Sequence, residues 1–304
     1  MKIVTAFFDL GRSGYRNHKR SPASYVRAFV DGIAQIDSEI VVFVNKAAKT
    51  ILESKLEKAE TKARITLIDL ELDELPLAKV KGEVIGVLSS SSMRFYSLRD
   101  ALLPLHKYFW LFWKVLFGRI LHKRGAIWGE ITTELPKAPE YWHWEYLVLT
   151  WSKPWFMSQA FERKLVPEGS CVVWFDFGLG HSKSEFTEMV RGKRLSNHLI
   201  QKSRVHFSQR GEAFRPQVQT PWDAAELCDD ALAPAGVIAG DIGACSKLES
   251  FFSDQISFWL ARGVAPDDQV LLSMFEAHMP EFTILLPRSR NKHGWYQLEH
   301  FLTS

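Results

Sequence analysis

The strongest constraint in the chain is a set of short apolar runs with almost no polar alternation, separated by helical patterns. Glu39–Val44 reads EIVVFV and Cys171–Phe177 reads CVVWFDF. Such runs suit strands buried on both faces, as in parallel sheets covered by helices. Lys2–Phe8 (KIVTAFF) is a β-rich run that reads as the first strand, and Arg64–Asp69 (RITLID) reads as a third. Ser21-Pro22 opens a helix, with Pro in the first turn where its missing N–H is no loss, and Tyr25, Phe29, Ile33 and Ile36 share one face. Ala47–Ala59 is a polar, exposed helix, and Val84–Leu88 reads as another short strand or extended piece. Further along, Arg204–Ser208, Ala235–Gly240 and Phe282–Leu286 read as strands. Lys247–Arg262 is a long amphipathic helix ended by Gly263, and Asp267-Asp268 opens another. The alternation predicts an α/β fold with a mostly parallel central sheet flanked by helices. No linker or repeat divides residues 1–304, so one domain is expected, with an aromatic-rich helical insert at about 101–165.

That insert holds the compositional anomaly, since eight of the 11 Trp lie between Trp110 and Trp174. Ala101–Leu121 approaches the length of a spanning helix, but Pro104, His106, Lys107, Lys114 and Arg119 interrupt it, and charges at mid-bilayer are costly. With the basic run Arg119–Arg124 it reads instead as core or as a membrane-surface patch over 105–124. The formal net charge of +3 gives no footprint for nucleic acid. Cys171, Cys228 and Cys245 are three scattered residues without a CxxC pair, which argues against a disulfide scaffold or a Cys-rich zinc site. The opening MKIVTAFFDLGR lacks the apolar region and cleavage site of a signal peptide. The expected location is the cytoplasm, with the inner face of the membrane as an extension of that reading.

Five sets of residues can carry chemistry. Asp176 ends a buried strand, and in open α/β sheets ligands bind beyond the carboxyl ends of strands. A carboxylate there can hold a divalent cation that bridges phosphates, or simply form a turn, with His181 and Ser182 close by. Asp267 and Asp268 are ordinary helix-start residues or a general base. Gly236 to Gly240 allow a close backbone approach, either to a ligand or within the core. Arg12, Arg16, Lys19 and Arg20 follow the first strand, and Lys153 lies in WSKPWF; each can meet a diphosphate, or be a solvated or snorkelling charge. His293, beside Gly294, can complete a metal site from afar or stand exposed. HExxH, GxSxG and kinase loops are missing, which disfavours zinc proteases, serine hydrolases and kinases.

VTAFFDLGR, SKPWF, VVWFDFG, AGVIAG and DDQVLL, in that order, resemble the bacterial HtrL/YibB family. That family is associated with polysaccharide and lipopolysaccharide loci and looks like a relative of GT-A glycosyltransferases. The resemblance implies a GT-A-like fold that transfers a sugar from a nucleotide-sugar donor to a glycan or glycolipid acceptor, with Mn or Mg as cofactor. It implies that Thr5, Ala6 and Phe7 line the nucleotide pocket, that Asp176 stands in the acidic metal motif, and that His293 is a late metal ligand. Gly236–Gly240 would flank the sugars, and Asp267 or Asp268 would supply the base. The sequence departs from the DxD pattern, because Gly178 replaces the second acid. That departure motivates a second reading, a glycan- or nucleotide-binding protein without catalysis. A membrane-surface interaction protein is the third.

Overall fold

A computed structural model of the chain describes residues 1–11, 21–89, 143–178, 184–198, 200–208, 219–221, 233–286 and 300–303. The strands are β1 (Lys2–Phe7), β2 (Glu39–Val44), β3 (Arg64–Asp69), β4 (Val172–Phe175), β5 (Arg194–Leu195), β6 (Val205–Ser208), β7 (Val237–Gly240), β8 (Thr283–Leu286) and β9 (Leu302–Thr303). The helices are α1 (Pro22–Asp31), α2 (Lys46–Leu56), α3 (Lys81–Leu88), α4 (Trp144–Trp151), α5 (Lys153–Glu162), α6 (Ser184–Val190), α7 (Ile242–Leu260) and α8 (Asp268–His278).

Seven strands form one sheet in the order β3-β2-β1-β4-β7-β6-β8, and β5 pairs with β9 apart from it. β1, β2, β3 and β4 pair in parallel, β7 runs against both β4 and β6, and β8 is parallel to β6. The fold is therefore α/β with a mostly parallel sheet, and β7 is its one reversed strand. The chain leaves β1 toward β2 and β3, then returns to place β4 on β1's other side. The crevice between β1 and β4 is thus a topological switch point, where open α/β sheets bind ligands.

Each face of the sheet is covered. Val4, Phe43, Trp174, Phe207 and Ile238 pack against α3, α4, α5, α7 and α8. Ile3, Val42, Phe175 and Ala239 pack against α1, α2 and α6. This double burial is what the unbroken apolar runs require. Thr5 is the polar residue inside β1, fully buried, and its hydroxyl donates to the Phe175 carbonyl at 2.5 Å. That bond satisfies a group that would otherwise cost free energy in the core.

Three segments differ from the sequence reading, the first being the helix read through Ile36, which ends at Asp31 and is followed by a separate 3-10 turn at Ile33–Gln35. Val84–Leu88 belongs to α3, not to a strand; Val80, Val84 and Val87 are buried at helical spacing while Ile85 is exposed. α7 begins five residues before Lys247, because the Asp241 side chain accepts from Ala244 N–H at 2.9 Å and caps it. The other Asp241 oxygen accepts from Ser203 N–H at 2.8 Å. Asp241→Ala removes both bonds and is expected to cost about 1–2 kcal/mol, read as a lower urea midpoint with an unchanged slope. An unchanged midpoint would show that α7 does not depend on this cap.

Candidate functional site

At the switch point three charged side chains from three elements meet. The Lys153 ammonium lies 2.8 Å from Asp176 Oδ1, 2.6 Å from Asp268 Oδ2 and 2.9 Å from the Ala235 carbonyl oxygen. Its three protons therefore face three oxygens. The Lys153 side chain is 5% exposed, that of Asp268 12%, and that of Asp176 41%. The cluster is buried at its base and opens to solvent through Asp176.

Local sequence explains each placement. α4 ends at Ser152, whose hydroxyl donates to the Val148 carbonyl at 2.7 Å, and Pro154 lies in the first turn of α5. Pro cannot continue the preceding helix, so the chain restarts there and Lys153 turns inward. Val172, Trp174 and Asp176 alternate onto one side of β4 by the period of two. That places the Trp174 indole N–H 2.8 Å from Asp176 Oδ1, to which it donates. Asp268 is the first residue of α8, and Asp267 caps the helix by accepting from Val270 N–H at 2.8 Å. The approach to α8 is pinned by the Trp151 indole N–H, which donates to the Pro266 carbonyl at 2.7 Å. Ala235 reaches the cluster because β7 is reversed: its amino end lies beside the carboxyl end of β4, where Asp176 N–H donates to the Gly236 carbonyl at 3.0 Å.

The charges shift one another. Burial pushes the Asp268 carboxyl above its ordinary range; the Lys153 ammonium pulls it back, and the Asp176 carboxylate adds to the rise. Burial pulls Lys153 down, but Asp176 and then Asp268 outweigh it and hold the ammonium above its usual value. Lys153 is a permanent cation at neutral pH. With both acids ionised the cluster carries one net negative charge.

The candidate residues from sequence divide clearly. Asp176, Lys153, Asp268 and Gly236 come together. Asp267 does not join them, because its carboxylate is used in the cap. Thr5, Ala6 and Phe7 are core rather than pocket lining: Thr5 bonds β4, Ala6 is 8% exposed, and Phe7 stacks on Phe177 with ring centroids 4.3 Å apart. Gly240 lies at the far end of β7, paired with Val172, and an added Cβ would stand 2.9 Å from Ala244 Cβ. Its role is close packing of α7 on the sheet. Arg12, Arg16, Lys19, Arg20, His181, Ser182, His293 and the 105–124 stretch lie outside the described residues. Trp174 and the Ala235 carbonyl were not foreseen; the i, i+2 spacing of Trp174 and Asp176 was the available signal.

The described donors do not fit a divalent cation shared by the two acids. The ammonium already spans them, and Asp176 Oδ1 accepts from both Lys153 and Trp174. Position 178 cannot carry a second acid without rearrangement, since a Cβ there would stand 2.5 Å from the Tyr25 ring. Among the described residues no group of three or more His, Cys, Asp or Glu is placed to hold a metal ion.

The mostly parallel sheet with an ion cluster at its switch point places the chain in the α/β class, and comparison with known proteins adds the family. The chain belongs to the HtrL_YibB family, a bacterial protein family of unknown function, whose model matches residues 1–109 and 113–302. It is 20% identical over 302 residues to Protein HtrL of Escherichia coli (strain K12), covering 97% of this chain and 90% of that protein. Two solved structures are similar along most of the chain. Mouse xyloside xylosyltransferase 1 in its apo form matches with a TM-score of 0.42 at 10% identity, covering 98% of this chain and 92% of that one. The 4-diphosphocytidyl-2C-methyl-D-erythritol synthase of Anaerococcus prevotii matches with 0.33 at 12% identity, covering 94% and 86%. At those scores neither likeness bears on chemistry. Among the described residues no helix is long and apolar enough to cross a membrane.

Removing the cation tests the cluster. Lys153→Met leaves Asp268 in the interior without its cation, and breaking a buried pair in this way costs about 3–5 kcal/mol, while the half-exposed Asp176 is screened by solvent and adds little. Lys153's own contribution is full below its ordinary value of 10.5 and is lost only as pH rises through its raised folded value. Asp268 has the opposite sign for an acid, because its raised value makes its ionisation cost stability above that value and cost nothing once it is protonated. The Lys153→Met deficit in urea denaturation is therefore expected to be largest at neutral pH and to shrink toward acid pH. A deficit independent of pH would contradict the charge account.

Proposed function

We propose that the chain is a glycosyltransferase that moves a sugar from a nucleotide-sugar donor to a glycan or glycolipid acceptor. The observation that carries the reading is the Lys153–Asp176–Asp268 cluster at the carboxyl edge of β4, at the switch point of a mostly parallel sheet. The family's sequence motifs, from VTAFFDLGR to DDQVLL, support it.

The reaction is displacement of a nucleoside diphosphate from the anomeric carbon by an acceptor hydroxyl. The hydroxyl must lose a proton as it attacks. Asp268 is the base in this reading, since burial raises its proton affinity while leaving its side chain 12% exposed. Asp176, the most exposed member of the cluster, contacts the donor. Lys153 orients both acids and supplies a fixed positive charge below the place where leaving-group charge develops. Gly236 lets the backbone approach the sugar. Arg12, which follows β1 in the sequence, is proposed as a further partner of the diphosphate.

The replacement of a second acid by Gly178 favours one other reading, a protein that binds nucleotide or glycan without turnover. Titration with a panel of nucleotide sugars, with product detection, separates the two. Transfer predicts that Asp176→Ala abolishes donor binding, whereas Asp268→Asn keeps binding and lowers kcat by about 10²–10⁴-fold. Binding without turnover in the native chain supports the second reading. Binding by no donor, and an Asp176→Ala variant that behaves like the native chain, contradicts both.

A further inference from the structure

We propose that the Lys153 ammonium takes the position a divalent cation would need, so that the cation bridging the two acids is built into the chain. The inference deepens the reading above and rests on it only for the identity of the bound nucleotide.

Three observations converge. The first is coordination. Hard divalent cations take carboxylate and carbonyl oxygens. Asp176 Oδ1, Asp268 Oδ2 and the Ala235 carbonyl are such a set, and all three lie within 2.9 Å of one ammonium. An ion placed among them would have to displace the lysine. The second is competition. Asp176 Oδ1 also accepts from the Trp174 indole, so this carboxylate oxygen already has two donors. The third is steric. The Tyr25 ring lies where the first carbon of any side chain at position 178 would go, with two ring carbons at 2.5 and 2.7 Å. The loss of the second acid is therefore matched by packing on one side of the strand and by a lysine on the other. Lys153 is itself 4% exposed, and its ammonium lies 5.9 Å from the centroid of the Trp174 ring. A buried, fully partnered ammonium is a fixture rather than a surface charge that drifts into place.

A cation within the chain has a consequence for binding. A nucleoside diphosphate should bind equally well with and without free metal. Removing the lysine should open a metal site bounded by Asp176 and Asp268.

The experiment has two arms on the full chain. In the first, Mn²⁺ is titrated against the native chain, Lys153→Met and Lys153→Met/Asp176→Asn, and free ion is followed by electron paramagnetic resonance. The expected result is no uptake by the native chain up to about 1 mM and uptake by Lys153→Met at least about tenfold tighter, lost again in the double variant. Uptake by the native chain as tight as by Lys153→Met overturns the proposal. In the second arm, uridine, cytidine and guanosine diphosphates are titrated against the native chain in EDTA and in Mn²⁺. Equal affinity within about twofold supports the proposal, and tightening by about tenfold or more in Mn²⁺ overturns it. This arm needs no variant, so it decides the matter if Lys153→Met does not fold. Binding of none of the three diphosphates under either condition counts against the nucleotide reading, and the Mn²⁺ titration then decides this inference alone.

Discussion

A lysine ammonium held at 2.6–2.9 Å from two carboxylates and a carbonyl, inside a protein, is expensive to assemble and hard to disturb. Every element that meets it is fixed in consequence. α5 must begin where Lys153 can turn inward, β4 must end with Asp176 on the Trp174 side, and α8 must begin with Asp268 facing the same point. The reversed β7 must bring its amino end to this edge. A change in any of these elements leaves a charge without its partner, and that cost is larger than most packing defects. The cluster thus joins the sheet to two helices of one face, α5 and α8, and it does so at the edge where ligands of such sheets bind.

The two sides of the β4 exit have different duties. On one side Phe7, Phe177 and Phe29 stack in sequence, with centroids 4.3 and 4.4 Å apart, and Tyr25 lies over Gly178. On the other side Trp174 stacks on Phe156, whose ring meets Phe43 and Phe8. The first stack closes off position 178. The second gives Lys153 an apolar floor and aims the Trp174 N–H at Asp176. Aromatic residues near this site therefore act as walls and as one donor, and their large buried area makes the charged geometry rigid. The concentration of Trp between Trp110 and Trp174 has this meaning for Trp151, Trp155 and Trp174, while Trp144, the fourth described member, lies under the Lys81 ammonium.

Much of the fold was legible because burial on both faces leaves a mark that local composition cannot hide. β1, β2 and β4 follow from their apolar runs, whereas β3 is an edge strand with no fully buried residue and follows from the β-branched composition of RITLID. Val84–Leu88 was misread because Gly82 and Gly86 weaken a helical pattern whose buried positions are Val80, Val84 and Val87. The start of α7 was missed because its cap, Asp241, also serves Ser203, a contact that no local pattern reports. At the site, Asp176 was visible from its place at the end of a strand, and Lys153 from its apolar setting. The choice between Asp267 and Asp268 was not visible, since adjacent acids at a helix start differ only in which way the backbone turns them. Thr5 was misplaced for a related reason: residues at the end of a central strand look available in sequence and are enclosed by neighbours far along the chain.

The most direct test of the account is a crystal structure of the chain soaked with a nucleoside diphosphate. The account predicts density for the diphosphate at the exits of β1 and β4, beside Asp176, with Lys153 still bridging Asp176 and Asp268 beneath it. A diphosphate bound elsewhere, or a Lys153 side chain swung out to solvent with the two acids apart, would contradict it.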